Sequence, residues 1–231
     1  MLAAFLIDTQ WLTFGGFSGR VIRSRFHTVH YHDALFSQAE IPFPPHLTPS
    51  VPKRRAEYLA GRIVARQALA SLGHPGFIVQ RGEDRAPIWP TGVAGALSHN
   101  ADTVLCAVQH TTQAGGVGLD VETIMAEERA AQLWEAIVTA DEYVWLQQQS
   151  GAFNLLLTLA FSAKESLFKA LYPQVQRYFD FLDARAIAID WQAQTFELEL
   201  LNALTADCPA GRRFRGQFLR DGDNVTTIIH L

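Results

Sequence analysis

Two short stretches place charged side chains among apolar neighbours. The first is GVGLDVETI, residues 116–124, and the second is FSAKESLFKA, residues 161–170. In a strand the side chains alternate between faces, so Val117, Leu119 and Val121 share one face and Asp120 and Glu122 the other. Two residues of rise put those carboxylates about 6.5–7 Å apart at the backbone, near enough to repel, and a cation between them would relieve that. Taken alone, D-x-E also fits the solvent face of an edge strand. The glycines beside it, Gly116 and Gly118, predict that something approaches this backbone closely. Glu165 adds a third carboxylate. With no accompanying cysteine or paired histidine, Asp120, Glu122 and Glu165 favour a hard cation held by oxygen. Mg²⁺ fits best, because it takes few carboxylates and completes its shell with water and substrate phosphate. The choice between Mg²⁺ and Mn²⁺ stays open.

The second stretch continues a greasy helix, LTLAFSAKESLFKALYP, with Lys164, Glu165 and Lys169 in its middle. A solvated stripe on a partly buried helix would also explain it. Glu165 and Lys169 are four apart in the favourable order, a pairing that supports a surface helix by about 0.2–0.5 kcal/mol.

A phosphate beside such a cation needs further partners, and the first half of the chain offers them. Arg54, Arg55 and Arg62 carry guanidinium forks, and Arg54 and Arg62, eight apart, fall on one helix face. Arg85 in GEDRAPIW and the pair Ser98 and His99 in LSHN add donors. Ser98 and His99 are expected at a turn, where a hydroxyl and backbone N–H groups can meet a phosphate oxygen. Each of these, on its own, equally fits an ordinary solvated surface.

The elements that must position these residues can be read from the pattern. The apolar N-terminus MLAAFLIDTQWLTF lacks a basic leader region and is interrupted by Asp8, which predicts a first strand rather than a signal peptide. VIRSRFHTVHYH alternates like a strand, and IPFPPHLTPSVP, with five prolines, predicts an irregular extended connection. KRRAEYLAGRIVARQALASLG reads as a helix closed by Gly73. FIVQRGEDRAPIWP predicts strand, turn and short strand; ALSHNADTVLCAVQ predicts a turn and a buried strand. HTTQAGG, 110–116, marks a seam. Beyond GVGLDVETI come two helices, the second with Thr139 as N-cap and Glu142 at capping-box spacing. The greasy helix follows them, and then four strands of a terminal antiparallel sheet. Arg62, Ala68 and Leu69 repeat at the spacing of Lys164, Ala170 and Leu171, a short echo that hints at duplication.

The fold class expected is therefore α+β, with two similar halves, 1–112 and 113–231, each a small antiparallel sheet with a long helix. The chain has 231 residues, 48% hydrophobic and 18% charged, with a formal charge of −4. That balance fits a compact globular protein and argues against a general nucleic-acid binder. Cys106 lies in the apolar run TVLCAV and reads as a buried thiol, with no disulfide framework or zinc site in view. No run approaches the length of a transmembrane span, and the expected location is cytoplasmic.

In order and spacing, these motifs resemble the 4′-phosphopantetheinyl transferases of the long, pseudo-dimeric Sfp type, in particular the EntD-like branch attached to siderophore peptide synthetases. The resemblance runs from KRRAEYLAGR (53–62) through GEDRAPIWP (82–90) and LSHN (97–100) to GVGLDVE (116–122) and FSAKESLFKA (161–170). His99 is followed by Asn100, where relatives often carry Cys or Ser. The resemblance implies transfer of the phosphopantetheine arm of coenzyme A to a serine of an apo acyl, aryl or peptidyl carrier domain, with release of adenosine 3′,5′-bisphosphate. It further implies that the two halves form a pseudo-twofold with coenzyme A in the cleft between them, and a monomer, since one chain supplies both halves. By position, Asp120, Glu122 and Glu165 would hold Mg²⁺, and Glu165 would act as base on the carrier serine. Lys169 would neutralise the leaving phosphate and Lys164 would steady the pyrophosphate. Arg54, Arg62 and His99, with Arg85 and Ser98 near them, would hold the 3′-phosphate. Two rival readings remain, a Mg²⁺-dependent hydrolase of nucleotide pyrophosphates and a non-catalytic coenzyme A-binding module.

Overall fold

The structure, a computed structural model, describes residues 2–82, 86–111 and 115–231. By internal contacts the chain divides into two units, Met1–Gln113 and Ala114–Leu231. Within the seam HTTQAGG, residues 112–114 lie outside the described residues.

The first unit runs α1 (Leu2–Phe5), β1 (Leu6–Leu12), β2 (Arg20–Phe26), α2 (Ala34–Gln38), α3 (Pro52–Ala70), β3 (Gln80–Arg81), β4 (Pro87–Ile88), β5 (Val93–His99) and β6 (Thr103–His110). Its sheet has the order β1-β2-β6-β5, all antiparallel, with β3 and β4 as a separate ribbon. The N-terminal strand is preceded by one helical turn, which turns the fully buried Phe5 towards Phe26 and Tyr31. The strand predicted over VIRSRFHTVHYH ends at Phe26, and a 3₁₀ turn takes Thr28–His30.

Helix α3 begins with Pro52 in its first turn, where a missing N–H costs nothing. It ends as the His74 N–H reaches back to the Leu69 carbonyl oxygen over Gly73, at φ +88°. Leu59, Ile63 and Leu69 pack with Ile22, Val104 and Cys106 in one core. Cys106 is a free, fully buried thiol, and burial raises its pKa far above the ordinary range. The arginines of α3 divide by role. Arg55 pairs with Asp33 (2.7 Å) and donates to the Leu47 and Thr48 carbonyl oxygens, and Arg66 donates to that of Ala39. Arg55 therefore staples the proline-rich connection to the helix, and Arg66 staples the end of α2. Arg54 and Arg62 take no part in this.

The second unit runs β7 (Val117–Thr123), α4 (Glu127–Ile137), α5 (Ala140–Gln147), α6 (Phe153–Val175), β8 (Ala184–Asp190), β9 (Thr195–Leu200), β10 (Arg213–Asp221) and β11 (Asn224–His230). Its antiparallel sheet has the order β7-β11-β10-β9-β8, so β7 is an edge strand. Helix α6 is apolar nearly all round because both sides are covered. Leu159, Leu167 and Leu171 face the sheet core with Phe196, Leu198 and Phe214, while Leu156 and Ala160 meet Ile137 and Leu146.

The glycines of β7 explain how the helix can lie so close. A Cβ on Gly116 would stand 1.7 Å from the Ala170 carbonyl oxygen, and one on Gly118 1.7 Å from that of Ser166. What approaches this strand is the backbone of α6 itself. That contact sets the Glu165–Lys169 turn against Asp120.

Candidate active site

At the seam of β7 and α6, the Lys169 ammonium donates to Asp120 Oδ1 (2.7 Å) and to the Leu119 carbonyl oxygen (3.1 Å). Lys169 thus pairs across to the strand, a geometry different from a solvated i,i+4 partner of Glu165. Asp120 is buried, so the solvent-face reading of D-x-E fails for it. Glu122 is pushed up to about 7 by burial first, then by the charges of Asp120 and Glu165, with Lys169 and Arg129 opposing. Burial and the Asp120 charge likewise raise Glu165, against the pull of Lys169. Three carboxylates and one ammonium therefore share one field. Raised carboxyls resist ionisation, and a divalent cation would reverse that cost. Among the described residues, no three such side chains already stand in a metal-ligating cluster. In charge and chemistry the donor set nevertheless fits a hard, oxygen-seeking ion.

Lys164, expected to steady the pyrophosphate, lies in the interior of the second unit. It is 2% exposed, and its ammonium donates to Glu142 Oε2 (2.7 Å) and to the Ile137 carbonyl oxygen (2.8 Å). Glu142 Oε1 accepts from the Ala186 N–H. Burial pushes the Lys164 ammonium down and the Glu142 carboxyl up, each opposed by its partner. The same pair corrects the capping box: Thr139 does accept from the Glu142 N–H, but the Glu142 carboxylate turns inward to Lys164. With its ammonium consumed inside the protein, Lys164 is a buried brace beneath Glu165. Lys164→Ala is expected to cost about 3–5 kcal/mol in urea unfolding, because it strands a buried carboxylate. A purely pyrophosphate-steadying lysine would leave the unfolding midpoint where it was.

Beside Glu165 opens a small cavity lined by the aromatic side chains of Phe168, Tyr178, Phe179 and Phe181, with Lys164 and Asp180 also in its wall.

The first unit gathers a separate cationic group. Arg54 Nη1 lies 3.2 Å from His99 Nε2 and 3.4 Å from Glu57 Oε2. Arg62 is buried with its guanidinium 4.0 Å above the Tyr58 ring, and its Nε atom has no hydrogen-bond partner among the described residues. Burial lowers Arg62, with Tyr58 opposing. His46 is held down by burial and then by Arg81, Arg62 and Arg54. Such a convergence of cations fits an anion. Ser98 and His99 are not at a turn: they close strand β5, opposite Leu105 and Val104, and the turn is made by the following residues. Arg85 lies outside the described residues.

Two family models match the chain, one described as 4′-phosphopantetheinyl transferase N-terminal domain over residues 43–109, the other as 4′-phosphopantetheinyl transferase superfamily over 116–215. The Salmonella typhi protein named Enterobactin synthase component D is 36% identical over 211 residues, covering 89% of this chain and 85% of that protein. The chain belongs to the 4′-phosphopantetheinyl transferase superfamily. The protein of the same name from Escherichia coli (strain K12) is 37% identical over 183 residues, 78% of this chain and 84% of that one. The 4′-phosphopantetheinyl transferase Svp of Streptomyces mobaraensis is 33% identical over 196 residues, 80% of this chain and 75% of its own.

Within this transferase, sequence reasoning missed Glu57, Tyr58, His46 and Arg81 around the cationic group, and Glu142 beneath Glu165. Tyr58 and Glu57 were legible, since each stands one turn from an arginine already singled out on α3. His46 and Arg81 are remote in sequence from their partners and gave no local signal, and Glu142 reads in sequence only as a capping-box residue.

Proposed function

We propose that this chain transfers the 4′-phosphopantetheine arm of coenzyme A to a serine hydroxyl of apo acyl, aryl or peptidyl carrier domains. The observation that carries this reading is the meeting of Asp120, Glu122, Glu165 and Lys169 at the β7–α6 seam of a chain in this family. The serine oxygen attacks the pantetheine phosphate, the pyrophosphate P–O bond breaks, and adenosine 3′,5′-bisphosphate leaves. Glu165, a carboxylate made more basic by burial, takes the serine proton. Lys169 stabilises charge that builds on the departing phosphate. Asp120 holds the Lys169 ammonium in place at 2.7 Å. Asp120, Glu122 and Glu165 would hold Mg²⁺ or Mn²⁺, which when bound supplies charge neutralisation at the pyrophosphate.

Arg54, Arg62 and His99 bind the 3′-phosphate. Arg62→Ala should therefore weaken coenzyme A by about 1.5–3 kcal/mol, the worth of a charged hydrogen bond, and leave 3′-dephospho-coenzyme A nearly unaffected. Equal weakening of both ligands in calorimetric titration would restrict Arg62 to packing on Tyr58.

The relatives named Enterobactin synthase component D favour carrier domains of a siderophore peptide synthetase as the acceptor. One chain supplies both residue sets, so the enzyme acts as a monomer, in the cytoplasm. Among the described residues no helix is long and apolar enough to cross a membrane. Chromatography of the nucleotide products tests the reaction class. Release of adenosine 3′,5′-bisphosphate that depends on apo carrier supports transfer, and release without carrier supports the hydrolase reading.

A further inference from the structure

A buried hydroxyl cluster holds the seam that carries the acids. Ser162 and Ser166 lie four apart on α6 and are fully buried, as is Thr227 on β11. Thr227 Oγ1 donates to the Ser162 carbonyl oxygen (2.8 Å). It also lies 2.9 Å from Ser162 Oγ and 2.7 Å from Ser166 Oγ, and Ser166 Oγ donates to the Thr227 carbonyl oxygen at 3.1 Å. In the β7–β11 ladder Thr227 is the register partner of Asp120. One threonine thus ties the strand position opposite Asp120 to the helical turn that bears Glu165.

Elsewhere along α6 other directional bonds add to this hold: the Met125 N–H donates to Thr158 Oγ1, Asn154 Nδ2 donates to the Met125 carbonyl oxygen, and Lys164 reaches Ile137 and Glu142; beside Asp120 the hydroxyl cluster is the directional tie. At Gly116 and Gly118 the strand meets helix backbone atoms of Ser166 and Ala170. Apolar burial is non-directional and would survive a slide of the helix along its axis. One residue of slide is about 1.5 Å, enough to carry Lys169 out of hydrogen-bond reach of Asp120. Hydrogen bonds are directional, and three buried hydroxyls left unsatisfied resist the slide.

We propose that Thr227, with Ser162 and Ser166, is a positioning residue that sets the axial register of α6 on β7, and so the spacing of Glu165 and Lys169 from Asp120. The proposal rests on the reading of those three as the reacting set. Thr227→Val keeps the shape and removes the hydroxyl. It is expected to lower kcat by about 10- to 100-fold, the scale of an ångström-sized misplacement, with KM for coenzyme A nearly unchanged. Thr227→Ser restores the hydroxyl and should recover most of kcat. In the metal-free protein, amide hydrogen exchange over β7 and residues 162–170 should quicken in Thr227→Val and not in Thr227→Ser. Leu198→Ala, a core variant on β9, serves as the stability control and should keep kcat at a similar loss in Tm.

Wild-type kcat in Thr227→Val, or a loss no larger than in Leu198→Ala, overturns the proposal. Should Thr227→Val not fold, Ser162→Ala removes one hydroxyl of the three, and unchanged kcat and exchange there overturn it equally. Full activity in Glu165→Gln would instead sink the transfer site, while the exchange data still decide the register.

Discussion

Glu165→Gln is expected to reduce transfer by at least about a hundredfold, the usual loss when a general base is removed, and to leave Tm unchanged or slightly higher. The stability sign follows from the direction of the shift. Burial and the Asp120 charge raise the Glu165 carboxyl in the folded chain. A group so raised prefers its neutral form when folded, so its ionisation works against the fold as pH rises above the unfolded carboxyl value. A neutral isostere removes that penalty. Asp120→Ala is the harsher partner experiment, because it also releases Lys169 from its 2.7 Å contact. Lys169 is a quarter exposed and can turn to water, so this variant should still fold. Near wild-type transfer by either protein at saturating Mg²⁺ would remove these acids from the reaction.

Lys169→Ala should lower kcat on the order of a hundredfold with a modest change in KM for coenzyme A, as for an interaction formed in the transition state. If Lys169 were only a helix partner of Glu165, its loss would cost a few tenths of a kcal/mol and leave turnover intact. The structure already weakens that alternative, since the ammonium sits on Asp120 and the Leu119 carbonyl oxygen. Lys169→Arg keeps the charge and changes shape and reach, and it should still lose much of the rate. Arginine behaving like wild type would return Lys169 to a structural role.

How much of this was readable in the chain differs residue by residue. A close approach to β7 was legible from the two glycines of GVG, whereas its partner, the helix that carries the other charged motif, became known only from the fold. Strands β8–β11 were legible from alternation, and α3 from its apolar spacing and Gly73. Lys164 was not legible, because what decides its role is Glu142, 22 residues away and reached through the tertiary fold. A lysine beside a candidate catalytic glutamate looks the same in sequence whether it faces a phosphate or the core. Ser98 and His99 were misplaced at a turn because Ser-His-Asn-Ala-Asp is rich in turn formers, yet sheet pairing extends β5 through His99. The Thr227 cluster left no signal, since an alternating strand tolerates threonine on either face.

If Glu165 and its neighbours move the phosphopantetheine arm onto a serine, intact mass spectrometry of an apo carrier domain will show the transfer. With coenzyme A, Mg²⁺ and catalytic amounts of the protein, the carrier should gain the mass of one phosphopantetheine group. The gain should vanish when the carrier serine is replaced by alanine or when the enzyme is Glu165→Gln. Carriers that stay at their apo mass across a panel of aryl, peptidyl and acyl carrier domains, under conditions where the protein binds coenzyme A, would rule out this transfer.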